Sequence, residues 1–165
     1  MNKIVFVCWG NICRSPMAEY IMKKLVSDAG LESRFEISSA GVSQEEYGNP
    51  VYPPARRKLA EHGISCQGHH AHQITQSEYH DAEMIIIMDR PNYRRIKEIT
   101  RGDPEHKVSF LMDYTDTPKD IEDPWYTGDY EQAWEDILAG CTGLLEYLIN
   151  SPAQELTGQE KLSSH

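Results

Sequence analysis

Cys8 and Arg14 enclose the segment Cys8-Trp9-Gly10-Asn11-Ile12-Cys13-Arg14, and Ser15-Pro16 follow it. A thiol is a potential nucleophile, and the planar fork of an arginine can bridge two oxygens of a tetrahedral oxyanion in a way that lysine cannot. A loop wrapped between a strand end and a helix start aims successive backbone N–H groups at one centre, and the helix N-terminus adds partial positive charge there. Such a centre binds an oxyanion, and the same field favours the thiolate form of a cysteine facing it. Ser15 can donate a hydrogen bond to that thiolate, and later to the sulfur as leaving group. Gly10 and Asn11 are residue types that tolerate positive φ. A bare C-x5-R spacing also arises by chance around a buried strand-end cysteine. Here its flanks add a strand before it, a Gly-Asn turn within it and a Ser-Pro helix start after it.

Cysteine attack on a phosphate monoester expels an alkoxide or phenoxide, which calls for a proton donor near the leaving oxygen. The chain has 26 Asp and Glu residues, and spacing alone cannot choose among them. Asp123 is the best local candidate because Pro124 biases it toward an extended backbone. Trp125 and Tyr126 then follow as potential pocket wall. The same residues also suit a plain Asp-Pro turn.

The elements that must position these groups are legible in part. Ile4 to Cys8 is a short β-branched run that stops at Trp9-Gly10-Asn11, which predicts a buried strand entering a tight turn. Beyond it Met17, Tyr20, Ile21, Leu25 and Val26 fall at helical spacing, with Ser15 as expected N-cap, Pro16 as first helical residue and Gly30 as terminator. Phe35 to Ala40 reads as a second strand, followed by a polar connection from Gly41 to Pro54 and a helix from Ala55 to His62 that ends at Gly63. Met84-Ile85-Ile86-Ile87-Met88 is an unbroken apolar run of the kind found in a central parallel strand with both faces covered. Asn92 to Thr100 suits a helix, Lys107 to Met112 a strand, and Tyr130 to Ile149 a long amphipathic helix weakened in its middle by Gly140 and Gly143. Alternating strands and helices predict a three-layer α/β fold with a parallel sheet and helices on both faces. Ligands then sit at the carboxyl ends of the strands, where the first loop lies.

The 165 residues suit one domain over 1–150, with a frayed tail over 151–165. Hydrophobic content of 39% and charged content of 25% exclude collagen-like, coiled-coil and disordered classes, and four cysteines are too few for a disulfide scaffold. A net charge of −10 repels nucleic acid and anionic membranes, so neither is an expected partner. The N-terminal apolar run is too short for a signal peptide, and no stretch approaches the ~20 apolar residues of a membrane span. A soluble, cytoplasmic protein with reduced cysteines is expected.

Cys8 to Pro16 resembles the phosphate-binding loop of the low-molecular-weight protein tyrosine phosphatases, C-x-G-N-I-C-R-S-P. The resemblance continues through Ser38-Ser39-Ala40-Gly41, Gly48-Asn49-Pro50, Gly63-Ile64, Met88-Asp89 and Asp123-Pro124-Trp125-Tyr126, covering about residues 3 to 149. It implies a four-stranded parallel sheet of flavodoxin-like order, of the phosphotyrosine protein phosphatase I type. No metal or other cofactor is implied, and the partner is a tyrosine-phosphorylated protein met by a monomer. In site terms it implies Cys8 as nucleophile, and Arg14 with the backbone of Trp9, Gly10, Asn11, Ile12, Cys13 and Ser15 as phosphate holders. Asp123 becomes the general acid and then base, and Asn11, Ser39 and His69 form a hydrogen-bond network that supports the loop. For Asp123 to act so, the charge of bound phosphate has to keep it protonated near neutral pH.

Cys13 is close enough to Cys8 across the loop to form a disulfide on oxidation, which the family uses for protection; packing of the loop is the alternative role. Cys66 and Cys141 read as free thiols, Arg56-Arg57-Lys58 as a solvated helix face, and Asp89 as a structural acid near the loop. His69-His70-Ala71-His72 lacks the flanking Cys or acidic ligands of a zinc site, so no metal is expected there. Trp9, Tyr47, Trp125 and Tyr126 are the expected rim, suited to a flat aryl phosphate. Family members more often carry an aromatic two places before Tyr47, where this chain has Glu45. Relatives acting on phosphoarginine place Thr at the position of Ile12, so Ile12 points to phosphotyrosine. The main rival is a thiol-coupled arsenate reductase, which needs two further cysteines where Tyr79 to Asp89 has none. A silent phosphopeptide reader is the other rival, and the presence of both Cys8 and Asp123 argues against it.

Overall fold

The computed structural model describes residues 2–151, so the expected tail lies outside the described residues apart from Ser151. In chain order the elements are β1 (Asn2–Cys8), α1 (Arg14–Asp28), β2 (Phe35–Gly41), α2 (Pro53–Glu61), α3 (Gln76–Asp81), β3 (Met84–Ile87), α4 (Arg90–Thr100) and β4 (Val108–Phe110). A 3₁₀ turn (Leu111–Tyr114), α5 (Pro124–Thr127) and α6 (Tyr130–Asn150) complete them. The four strands form one parallel sheet in the order β2-β1-β3-β4. This is the doubly wound order in which the loop after β1 lies at the reversal of winding.

The strand period of two assigns the apolar residues to two cores. Ile4, Phe6 and Cys8 of β1 share one cluster with Met84, Ile86 and Met88 and with the buried sides of α1 and α6. Val5, Val7, Ile85 and Ile87 point the other way, toward Tyr79 and Ile96. Cys8 therefore ends a strand on the face that α1 covers, and its thiol lies under the loop leading into that helix.

Several predicted boundaries need correction. The expected strand from Lys107 to Met112 pairs only over Val108–Phe110, because Leu111 to Tyr114 turns into the 3₁₀ helix packed against α6. Gly140 and Gly143 permit that contact: a Cβ would meet Leu111 Cγ at 2.5 Å from the first and the Tyr114 carbonyl oxygen at 1.9 Å from the second. α2 begins at Pro53 and α4 at Arg90, each two residues earlier than the apolar period indicates, since Pro54 and Pro91 lie in first turns where a missing N–H costs nothing. α3 was not expected, although Thr75 and Glu78 form a complete capping box at its start.

Candidate active site

The loop after Cys8 turns back so that α1 starts at Arg14, with Cys13 at the N-cap position and no side chain capping it. The expected Ser15 cap is thus incorrect, because its hydroxyl faces inward. Ser15 Oγ lies 3.0 Å from Cys8 Sγ, accepts from Asn11 Nδ2 at 2.8 Å and sits 3.3 Å from the Ala40 carbonyl oxygen. Pro16 is accordingly the third helical residue, and the first helical bond runs from Met17 N to the Cys13 oxygen at 3.0 Å. Ser15 has a single hydroxyl proton; a thiolate at Cys8 can only accept, so that proton then goes to sulfur.

Asn11 holds the loop's shape. It is fully buried and has φ of 63°, whereas Gly10, expected to share positive φ, does not adopt it. Besides Ser15, Asn11 Nδ2 donates to Ser39 Oγ at 3.1 Å, and Oδ1 accepts from His72 N at 3.2 Å. The Asn11 carbonyl accepts from His69 Nε2 at 2.7 Å, which sets that ring's tautomer. Ser39 donates onward to Glu19 Oε1 at 2.6 Å, and Glu19 Oε2 accepts from Lys23 Nζ at 2.6 Å. Burial pushes the pKa of His69 down, against the opposing pull of the Asn11 carbonyl and Glu19. The end of β2 closes on the loop through Gly41, where a Cβ would stand 2.8 Å from the Trp9 oxygen. Val42 N and Ser43 N both donate to that oxygen at 3.1 Å.

The buried side chains of Asn11 and Ser15 are met within the protein, whereas the loop amides are not. Among the described residues the backbone N–H groups of Trp9 to Ser15 meet no protein acceptor. Such donors, together with a helix N-terminus, suit an oxyanion.

Two helix N-caps hold Arg14. Asp89 caps α4, accepting from Asn92 N at 2.9 Å through Oδ1, and its Oδ2 accepts from Arg14 Nη1 at 2.6 Å. Asp123 caps α5, accepting from Trp125 N at 3.1 Å through Oδ1, and its Oδ2 lies 3.4 Å from Arg14 Nη2. The Ile121 carbonyl also accepts from Arg14 Nη1 at 2.7 Å, and Ile121 N donates to the Met88 oxygen at 3.0 Å, tying the Asp123 segment to the end of β3. Arg14 is only 2% exposed. Burial opposes its charge, but Cys8, Asp89 and Asp123 outweigh that and keep its pKa raised.

Above Cys8 and Arg14 opens a cleft walled by Trp9, Ile12, Glu45, Glu46, Trp125 and Tyr126, with Asp123 on its lining. The structure thus joins Cys8, Trp9, Gly10, Ile12, Cys13, Arg14, Asp123, Trp125 and Tyr126 of the expected site. Asn11, Ser15, Ser39 and His69 belong to the support beneath. Tyr47 is a correction: it is 76% exposed and outside the cleft, because the turn at Gln44 to Tyr47 brings Glu45 and Glu46 to the rim instead.

Cys13 is a free thiol whose sulfur lies 3.8 Å from Tyr130 Oη. Burial foremost, with help from nearby Cys8, pushes its pKa up to about 12. The three histidines after Gly68 have separate partners: His69 the Asn11 carbonyl, His70 the Gly48 carbonyl and His72 the Glu78 carboxylate. Among the described residues no cluster of His, Cys, Asp or Glu is arranged to hold a metal ion.

Sequence reasoning missed Glu19 and left the role of Asp89 open. Glu19 lies on the buried stripe of α1, four residues after Ser15, and an acid at such a spacing is a readable signal for a buried polar partner. Asp89 before Arg90-Pro91 carries an N-cap signature. Its second oxygen's bond to Arg14 crosses 75 residues and leaves no local trace.

Residues 3–156 match the family model of the low molecular weight phosphotyrosine protein phosphatases. The low molecular weight protein-tyrosine-phosphatase YfkJ of Bacillus subtilis is 36% identical over 147 residues, covering 88% of this chain and 94% of the relative. Its crystal structure superposes with a TM-score of 0.87 at 35% identity, covering 90% of this chain and 95% of that one. The low molecular weight phosphotyrosine protein phosphatase of Gallus gallus is 36% identical over 152 residues, covering 88% and 95% of the two chains. DARP, a drosophila arginine phosphatase, has a TM-score of 0.84 at 28% identity over 91% of this chain and 99% of its own. The chain belongs to the low molecular weight phosphotyrosine protein phosphatase family.

Proposed function

We propose that this chain, a cysteine-dependent protein-tyrosine-phosphatase, removes the phosphoryl group of phosphotyrosine in proteins with Cys8 as nucleophile and Asp123 as acid and then base. Arg14 and the backbone N–H groups of Trp9 to Ser15 hold the phosphoryl oxygens. The observation that carries this reading is convergence: Cys8, Arg14 and Asp123 line one cleft whose loop amides have no protein acceptor.

In the first step the Cys8 thiolate attacks phosphorus, forming an S–P bond as the P–O bond to the tyrosine breaks. The leaving phenolic oxygen takes the proton of Asp123. Water then gives a proton to the Asp123 carboxylate and attacks phosphorus, and inorganic phosphate leaves as Cys8 recovers its electron pair. Ser15 Oγ, 3.0 Å from the sulfur, stabilises the thiolate at both ends of the cycle. Arg14 cannot drift as the charge shifts between oxygens, because Asp89 and the Ile121 carbonyl fix Nη1.

The rim supports an aryl ester. Ile12 presents an apolar wall, and Trp9, Trp125 and Tyr126 are 38%, 49% and 84% exposed around the opening. When the phosphoryl group of an aryl ester reaches Arg14, its ring stacks among them. Four free thiols fit a reducing cytoplasm.

Cys8→Ser is expected to abolish turnover of an aryl phosphate while phosphate binding persists by calorimetry. Undiminished turnover by that variant overturns the assignment. Side-by-side phosphotyrosine and phosphoarginine peptides test the substrate class, and faster phosphoarginine hydrolysis overturns the reading of Ile12.

A further inference from the structure

Two shallow grooves adjoin the cleft, and they share no wall with each other. One is lined by Trp9, Ser43, Gln44, Glu45, Gln73 and Arg95, and meets the cleft through Trp9 and Glu45. The other includes Pro50, Tyr52, Pro53, Arg56 and Glu46, and meets the cleft through Ile12, Glu46 and Trp125. A peptide whose phosphotyrosine fills the cleft must lay its neighbouring residues along this surface.

The two rim carboxylates are differently occupied. Glu46 is half-buried, accepts from Asn49 Nδ2 at 2.6 Å and shares its groove with Arg56. Glu45 is exposed, and no side chain among the described residues bonds or pairs with its carboxylate. The one cation in its groove, Arg95, is already paired with Glu98 at 3.0 Å. Trp9 lines the same groove, is 38% exposed and has its backbone oxygen pinned by Val42 and Ser43. An indole ring and a carboxylate lining the same groove suit a cationic side chain by cation–π contact and ion pairing.

We propose that the Trp9–Glu45 groove takes a lysine or arginine side chain flanking the phosphotyrosine, so that the enzyme selects substrates by a basic neighbour. This rests on the phosphatase reading above and goes beyond it, because it assigns a role to a residue outside the chemistry. The same carboxylate disfavours an acidic neighbour, so attraction and repulsion both widen the gap between peptides. The cation sits above the cleft and not in it, since Arg14 and the loop amides reject positive charge at the bottom.

The test uses phosphotyrosine peptides in which a single Lys or Glu is moved through the three positions on either side of the phosphotyrosine. Each kcat/KM is divided by that for a small aryl phosphate, whose turnover separately tests the phosphatase reading. At one or more positions Lys is expected to exceed Glu by about fivefold to tenfold at low salt. The gap is expected to shrink near 1 M salt, where the screening length falls to about 3 Å. Glu45→Gln brings the ratio to within about twofold, Glu45→Lys inverts it, and Glu46→Gln keeps most of it. Equal rates for the Lys and Glu peptides at every position overturn the proposal. So does a preference that survives Glu45→Gln, or one that falls as far in Glu46→Gln.

Discussion

The base of the phosphate loop and its mouth are built on opposite terms. At the base, Asn11, Ser15 and Ser39 are almost wholly buried, and each polar side chain is answered by another, out to Glu19 and Lys23 at the surface. At the mouth, Trp125 and Tyr126 are 49% and 84% exposed, and Glu45 has no side-chain partner among the described residues. Buried donors and acceptors are costly to leave unmet, so the base admits one arrangement. Exposed groups carry no such constraint. The contrast separates chemistry, which needs fixed dipoles, from recognition, which needs accessible surface.

The comparison breaks first where base and mouth meet. Asp123→Asn removes the proposed proton donor but keeps an N-cap oxygen for Trp125 N. Hydrolysis of an aryl phosphate is expected to slow by about 10²–10⁴ in kcat, while a substrate with a very acidic leaving group loses less. Steady-state rates across a series of leaving groups check this, and a uniform loss would assign Asp123 to positioning instead.

Below that lies the base itself. Asn11→Ala strips two donors and an acceptor from buried partners and places alanine at φ of 63°. Stability is expected to fall by about 1–3 kcal/mol in urea unfolding, and kcat by about 10–10²-fold as the loop amides lose alignment. A variant of wild-type stability with normal kcat would show that the loop keeps its shape without the network.

The mouth is expected to respond more weakly and in a different parameter. Tyr126→Ala removes a ring that is 84% exposed, so stability is expected to stay within about 0.5 kcal/mol. KM for a phosphotyrosine peptide is expected to rise about threefold to tenfold with a smaller change in kcat, as lost stacking predicts. A fall in kcat equal to that of Asn11→Ala would erase the distinction between the two regions.

The smallest effect is a pair of titrations. His69 and His72 both serve Asn11, yet burial lowers the pKa of the first and the bond to Glu78 raises that of the second. NMR of the ring protons is expected to show His69 titrating below about 6.5 and His72 above it. The signs then oppose each other in stability. The contribution of His69 is lost as pH falls through its unfolded value toward the lower folded one, because the unfolded chain binds the proton first. The contribution of His72 is present below its unfolded value and is lost as pH rises through the higher folded one.

Local chemistry made much of this legible in advance. Met84 to Ile87 is the central strand its unbroken apolar run indicates, and Gly48 and Gly63 take the positive φ their turns require. The Cys8 to Pro16 segment lies at the end of β1, as its flanking patterns indicate. Where the reading failed, the local conformation of the chain gave a residue another use than its type suggests. Ser15 is a good cap by type, but its hydroxyl is claimed by Cys8 and Asn11. Tyr47 is a plausible rim aromatic by position, but the turn before Gly48 puts Glu45 and Glu46 at the rim in its place.

The amino-acid order alone determined the Cys8 to Pro16 motif, its place between a strand and a helix, and the strand-helix alternation, because each depends on neighbours within a few residues and on a short-range periodicity. It did not determine which carboxylates would meet Arg14. Asp89 and Asp123 are 34 positions apart, and each becomes a partner only because parallel strands deliver their C-terminal ends to one edge of the sheet. The character of the rim was equally a tertiary outcome. The place of Trp9 on it depends on how the end of β2 closes on the loop through Gly41, a backbone contact whose sequence trace is a single missing side chain, while Trp125 and Tyr126 arrive on α5.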